Sequence, residues 1–230
     1  KMTDKIFLFL IAILPTLALL LFFMYSDKFK EPKKTVLSTF ILGIFIIAPL
    51  EVFDYGTEMI LGEPIGYNAF FRAFFAASFL EELFKFCVLF FFCTKFTEFN
   101  EPMDGIVYGV TVSLGFATYE NYDYVFRLAE LWEIDPYQLA IWRSYSAVPL
   151  HGLNGCIMGF YFGMYSFTAN KKYLVLCLLI PFIVHGFYNF LNYPYHFMIL
   201  GIVTIYTIVL HSNMKKLQES KNKEGEIKKI

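Results

Sequence analysis

Long apolar runs dominate this chain and leave few folds open to it. Seven can be marked out: Ile6–Tyr25, Val36–Phe53, Ala69–Phe96, Ile106–Tyr124, Ile141–Thr168, Tyr173–Leu191 and Phe197–His211. A helix crossing a bilayer needs about 20 mainly apolar residues, so the pattern predicts an all-α, polytopic transmembrane helical bundle of about seven spans. Composition agrees. Of 230 residues, 57% are hydrophobic and 17% charged, against about 45–50% and about 25% in soluble domains. That balance excludes a soluble globular enzyme, and the wealth of aromatics excludes a disordered chain. A formal net charge of −1 argues against a nucleic-acid partner. The partner implied is the lipid bilayer.

Charge placement sets the expected orientation. With the N-terminus outside, 13 Lys residues fall on the inner side and 4 Lys or Arg residues on the outer side. The positive-inside rule therefore favours N-out, C-in. The outer loop Asp54–Asn68 carries Asp54, Glu58 and Glu63 but no basic residue. The expected organisation is one transmembrane domain over residues 1–211, with a catalytic core at about 69–192. A charged, flexible cytoplasmic tail follows over 212–230. The first run is too long for a signal-peptide core and is read as a retained helix. Cys87, Cys93, Cys156 and Cys177 all lie in apolar runs, without zinc or disulfide spacing. Gly105 and Gly109, and Gly155, Gly159 and Gly163, recur every fourth residue, a spacing that lets helix backbones approach closely. Pro149 and Pro181 lie inside spans and predict kinks.

Ionisable residues inside such spans are costly and point to function. The third span carries Glu81, Glu82 and Lys85; the fourth ends on Glu120-Asn121; the fifth carries His151 and the sixth His185 and Asn189. At ~1.5 Å rise per residue, all of them fall between mid-depth and the outer half of the bilayer, although neighbouring helices run in opposite directions. One polar site among spans three to six follows. Lys85 lies one helical turn from both glutamates, and His185 and Asn189 share a helix face. Two adjacent carboxylates in a low dielectric titrate apart, leaving one ionised as a general base. Other roles remain open: Glu81, Glu82 and Lys85 as a packing ion pair, Glu120-Asn121 as a surface cap, and Arg72 as a snorkelling residue at the outer end of its span.

The motifs Glu81-Glu82-x-x-Lys85, Gly115-Phe116-Ala117-x-x-Glu120-Asn121, Ala147-Val148-Pro149-Leu150-His151 and His185-Gly186-x-Tyr188-Asn189 occur in that order. Over about residues 70–192 they resemble the PrsW family of bacterial membrane proteases. That family lies within the superfamily of CAAX-processing and bacteriocin-processing intramembrane proteases. The resemblance implies that Glu81 is the activating glutamate with Glu82 as its partner, and that His185 and Asn189 face the scissile carbonyl. Glu120 stands where the wider superfamily has a histidine, as is usual in the PrsW branch, and His151 is the candidate replacement. The implied substrate and partner is a membrane-anchored anti-sigma factor, cut at its first site as a stress signal in the bacterial cell membrane.

The expected chemistry is peptide hydrolysis by glutamate-activated water. Glu81 acts as base, aided by His151, Glu82 and Lys85, with His185 and Asn189 donating to the oxyanion and Glu120 and Asn121 in support. No cofactor is required on this reading. The nearest alternative is a zinc site drawn from Glu81, Glu120, His151 and His185, without a His-Glu-x-x-His motif to announce it. A proton-coupled transporter and a non-catalytic membrane receptor are the readings from other classes.

Overall fold

The computed structural model describes residues 2–53, 69–191 and 194–224, and the acidic loop Asp54–Asn68 lies outside them. Among the described residues the secondary structure is helical, with no strand. In chain order the elements are α1 (Met2–Ser26), α2 (Lys33–Phe45), α3 (Leu80–Phe91), α4 (Pro102–Asp123), α5 (Pro136–Tyr145), α6 (Ala147–Thr168), α7 (Lys171–Phe190) and α8 (Tyr195–Glu224). A π-helical segment, Arg72–Phe79, leads into α3, and a second, Tyr124–Leu128, continues α4.

The centre of the bundle is the α4–α6 pair, with α2 and α1 packed on α4 and α7 and α8 packed on α6. The predicted glycines make this seam. A Cβ added at Gly105 would stand 2.5 Å from the carbonyl oxygen of Gly159, and one at Gly109 would stand 2.5 Å from that of Gly155. Backbone-to-backbone packing of this kind replaces the hydrophobic drive that lipid cannot supply. Gly43 and Gly115 make a similar approach between α2 and α4, a contact without a four-residue repeat to signal it. Large apolar side chains such as Phe7, Leu14 and Phe22 on α1 and Ile202, Ile205 and Ile208 on α8 point outward, as lipid-facing residues do.

Four segments are long and apolar enough to cross a membrane: Asp4–Ser26, Lys33–Phe53, Lys171–Phe190 and Tyr195–Ser220. They match the first, second, sixth and seventh predicted runs. The last is part of a helix that continues through Ser212 to Glu224, well beyond the predicted 197–211. The other three runs are helical but different in kind. The third is divided by the π segment and gives way after Phe91 to a 3-10 turn at Cys93–Lys95. The fourth and fifth correspond to α4 and α6, which are diluted by glycine and polar residues buried against other helices. A helix wrapped by its neighbours has no need of an apolar surface all round.

The fifth run requires a correction. It is not one helix from Ile141 to Thr168: α5 ends at Tyr145, Ser146 leaves helical geometry (φ −121°, ψ −73°), and α6 starts at Ala147. Pro149 therefore sits in the first turn of α6. Its missing N–H falls there among groups that have no intrahelical partner anyway. The kink expected at Pro149 becomes a break just before it, which leaves α5 to pack on α1 and on the second π segment.

Candidate active site

Glu81, Glu82 and Lys85 project from the first turns of α3, and all three are buried. The Lys85 ammonium is fully enclosed and lies 4.5 Å over the Phe116 ring. It donates to Glu82 Oε1 at 2.8 Å and to His151 Nδ1 at 3.2 Å, and stands 3.7 Å from Glu81 Oε2. Glu82 Oε1 also meets His185 Nδ1 at 2.9 Å. The two adjacent glutamates are thus unequal. Glu82 is fixed between an ammonium and an imidazole. Each glutamate keeps a buried Oε2 without a hydrogen-bond partner among the described residues, but Glu81 has no such lock on its carboxylate, its Oε2 standing 3.8 Å from His185 Nδ1 and 3.7 Å from Lys85 Nζ.

Glu120, Asn121 and Arg143 form the other half. His151 Nε2 lies 2.8 Å from Glu120 Oε2, the oxygen to which Arg143 Nη2 donates at 2.7 Å. Arg143 Nε donates to Asn121 Oδ1 at 2.6 Å, and Asn121 Nδ2 donates to the carbonyl of Ala12 on α1 at 2.9 Å. The guanidinium stacks on Tyr124 at 3.8 Å. The chain Arg143–Glu120–His151–Lys85–Glu82–His185 is therefore continuous across five helices. It assigns the tautomer of His151, which donates from Nε2 to Glu120 and accepts from Lys85 at Nδ1, and it has His185 donating from Nδ1 to Glu82. The two rings meet edge to face with centroids 5.1 Å apart.

Of the predicted site residues, Glu81, Glu82, Lys85, Glu120, Asn121, His151 and His185 meet in this one network. Asn189 stands beside it, its Nδ2 donating to Ser78 Oγ at 3.1 Å. Glu81, Glu120 and Asn189 all border a cavity of about 640 Å³, walled by Ala73, Ala76 and Ala77 of the π segment and carrying Arg72 and Arg127 in its lining. Two contributors had escaped the sequence. Arg143 counts in the sequence only among the outer basic residues that set orientation, and its side chain reaches Glu120 and Asn121 from the end of α5. Ser78 lies three residues before Glu81 on the same helical face, and its hydroxyl donates to the carbonyl of Ala73 at 2.6 Å. That five-residue reach belongs to the π geometry, which recurs at functional sites.

The donors also fit a metal ion. Glu81, His151 and His185 each offer an atom within 4.8 Å of the other two. Two imidazoles and a carboxylate form a catalytic zinc set. Glu120, on His151 Nε2, stands as a carboxylate that orients such a ligand, and Glu82 takes His185 Nδ1, the nitrogen 3.8 Å from Glu81. Glu120, the fourth member of the expected set, is instead taken up by His151 and Arg143. A cation bound at His151 Nδ1 would have to displace Lys85 from it.

Residues 31–212 match the PrsW family of intramembrane metalloproteases. The chain belongs to the PrsW family. It is 38% identical over 183 residues to Protease PrsW of Bacillus subtilis (strain 168), covering 78% of this chain and 79% of that protein. Protease PrsW of Geobacillus kaustophilus (strain HTA426) is 38% identical over 182 residues, with 77% and 76% covered. Protease PrsW of Clostridioides difficile (strain 630) is 31% identical over 234 residues, with 95% and 93% covered. No solved structure matches the chain. The PrsW likeness reaches well beyond the 70–192 carried by the motifs, taking in α2 and much of α8. Family membership makes the protein a membrane-embedded peptidase, which sets aside the transporter and receptor readings.

Proposed function

We propose that this PrsW-family protein crosses a bacterial cytoplasmic membrane seven times, N-out and C-in, and cleaves a single-span membrane protein near its extracytoplasmic face. The substrate is an anti-sigma factor, and the cut is the first step of its regulated proteolysis. The observation that carries the chemistry is the inequality of the two glutamates: Glu82 is locked through Oε1 by Lys85 and His185, whereas Glu81 borders the cavity.

Glu81 takes a proton from a water molecule, and the water oxygen bonds to the scissile carbonyl carbon as the carbonyl π pair moves to oxygen. Asn189, with one N–H on Ser78, offers its second to the oxyanion, and His185 donates from Nε2 as an imidazolium paired with Glu82. The oxyanion then collapses, the C–N bond breaks, and Glu81 returns its proton to the leaving amine. His151, held between Glu120 and Lys85, helps to hold the water through Lys85, whose ammonium it fixes 3.7 Å from Glu81. Preorganised donors of this kind are worth about 3 kcal/mol each.

A second reading, with a metal ion, is favoured by the convergence of Glu81, His151 and His185 and by the family's description as metalloproteases. These three residues would hold the ion, which supplies a Lewis acid and a more acidic water. Glu120 would then orient the His151 imidazole. Co-expression with a candidate single-span anti-sigma factor tests the function: Glu81→Gln and His185→Ala each abolish the size shift of the substrate, and full cleavage by both variants overturns the proposal. Metal content of the purified protein, with activity in chelator, decides between the readings. Unchanged activity in a metal-free preparation leaves glutamate chemistry alone.

A further inference from the structure

A second acidic cluster lies away from the catalytic network, around the N-terminus of α4. Glu101 precedes that helix and Asp104 lies in its first turn, joined by a reciprocal capping box. Asp27 reaches them from the α1–α2 connection, and one carboxylate oxygen of each residue lies within 4.8 Å of the others. All three are at least 98% buried. Gln218 of α8 bridges two of them, its Nε2 donating to Asp27 Oδ1 at 2.8 Å and to Glu101 Oε1. Asp104 Oδ2 receives the N–H groups of Asn100 and Glu101 at 2.7 and 2.8 Å.

These donors leave an oxygen of Asp27 and one of Asp104 unanswered. Among the described residues no donor reaches Asp27 Oδ2 or Asp104 Oδ1, both buried. A fourth acid, Glu31, stands against Asp104 and accepts from the Tyr108 hydroxyl. A basic neighbour, Lys30, directs its ammonium to the backbone carbonyls of Met24, Tyr25 and Asp27. Burial, with Glu31 next in effect, pushes the Asp104 carboxyl up to about 9. Burial likewise raises Asp27 and Glu31.

We infer that Asp27, Glu101 and Asp104 form a binding site for a hard divalent cation, Ca²⁺ or Mg²⁺, that ties the α1–α2 connection and the start of α4 to α8. The donors are all oxygen, as such ions require, and a span of up to 4.8 Å equals two Ca–O bonds of about 2.4 Å. Gln218 brings α8 to the site and offers its amide oxygen as a further ligand if the amide turns over. The site is separate from the catalytic residues and its occupancy does not depend on the hydrolytic mechanism.

The test uses full-length protein in detergent, stripped with chelator and carrying Glu81→Gln to remove metal binding at the catalytic cluster. Millimolar Ca²⁺ or Mg²⁺ should raise Tm in a saturable way, and the ion acting at the lower concentration is the preferred ligand. Asp27→Asn keeps the Oδ1 acceptor and should lose the shift. Gln218→Glu adds a charged ligand and should bring saturation at an about tenfold lower concentration. Tb³⁺ supplies a direct reading, with luminescence sensitised by nearby Tyr108 and quenched by Ca²⁺, and it decides the matter if Asp27→Asn does not fold. No Tm shift and no Tyr-sensitised Tb³⁺ signal, as expected if Asp104 and Glu31 simply share a proton, overturns the inference. So does a shift that survives Asp27→Asn undiminished.

Discussion

The protein buries two groups of carboxylates and treats them differently. In the candidate active site Glu81, Glu82 and Glu120 are matched by Lys85, Arg143 and two histidines. In the cluster at the start of α4, Asp27, Glu31, Glu101 and Asp104 meet backbone N–H groups, the Gln218 amide and the Tyr108 hydroxyl. A charge buried among helices is costly unless it is paired, and the first group finds its partners within the chain. The first arrangement is matched in charge by its own side chains and fixes geometry; the second is met chiefly by neutral donors, and the inferred cation would make up the balance.

The contrast breaks most readily at Lys85. Lys85→Met removes the ammonium shared by Glu82, Glu81 and His151, and breaking a buried pair in this way costs about 3–5 kcal/mol. A sharp fall in folded yield and in Tm, measured in detergent, is expected, whereas a wild-type Tm would show that the glutamates do not need an internal cation. Arg143→Lys is milder. It keeps the charge but loses the forked contact to Glu120 and Asn121, so substrate cleavage should fall by about tenfold, or about 1.4 kcal/mol, with Tm nearly unchanged. Equal cleavage rates would remove Arg143 from the network that positions His151. The smallest effect has the opposite sign. In cation-free buffer Asp27→Asn relieves carboxylate repulsion and should leave Tm level or stabilise the protein by up to about 1 kcal/mol. A marked loss of stability would mean that the second cluster is also internally balanced.

How legible these regions are in the sequence follows the same division. Glu81, Glu82, Lys85, His151 and His185 stand out because an apolar run makes every charge conspicuous, and helical spacing with depth brings them to one level. The glycine repeats on α4 and α6 announce their seam for a similar reason. Arg143 is hidden because a basic residue at a span end reads as an orienting charge, and nothing local to it reports the break at Ser146. The π segment is silent too, since Arg72–Phe79 has the composition of an ordinary apolar helix. Asp27, Glu101, Asp104 and Gln218 look like solvated loop and tail residues, and only the packing of α8 against α4 and α6 brings them together.

The central claim is that Glu81 is the base while Glu82 holds the frame, and the most direct measurement is single-turnover cleavage of a single-span substrate by purified Glu81→Gln protein in lipid vesicles. The account predicts a folded protein with wild-type Tm whose cleavage rate falls by about 10²–10⁴-fold, the usual contribution of a general base. Cleavage at the wild-type rate by folded Glu81→Gln protein would contradict it.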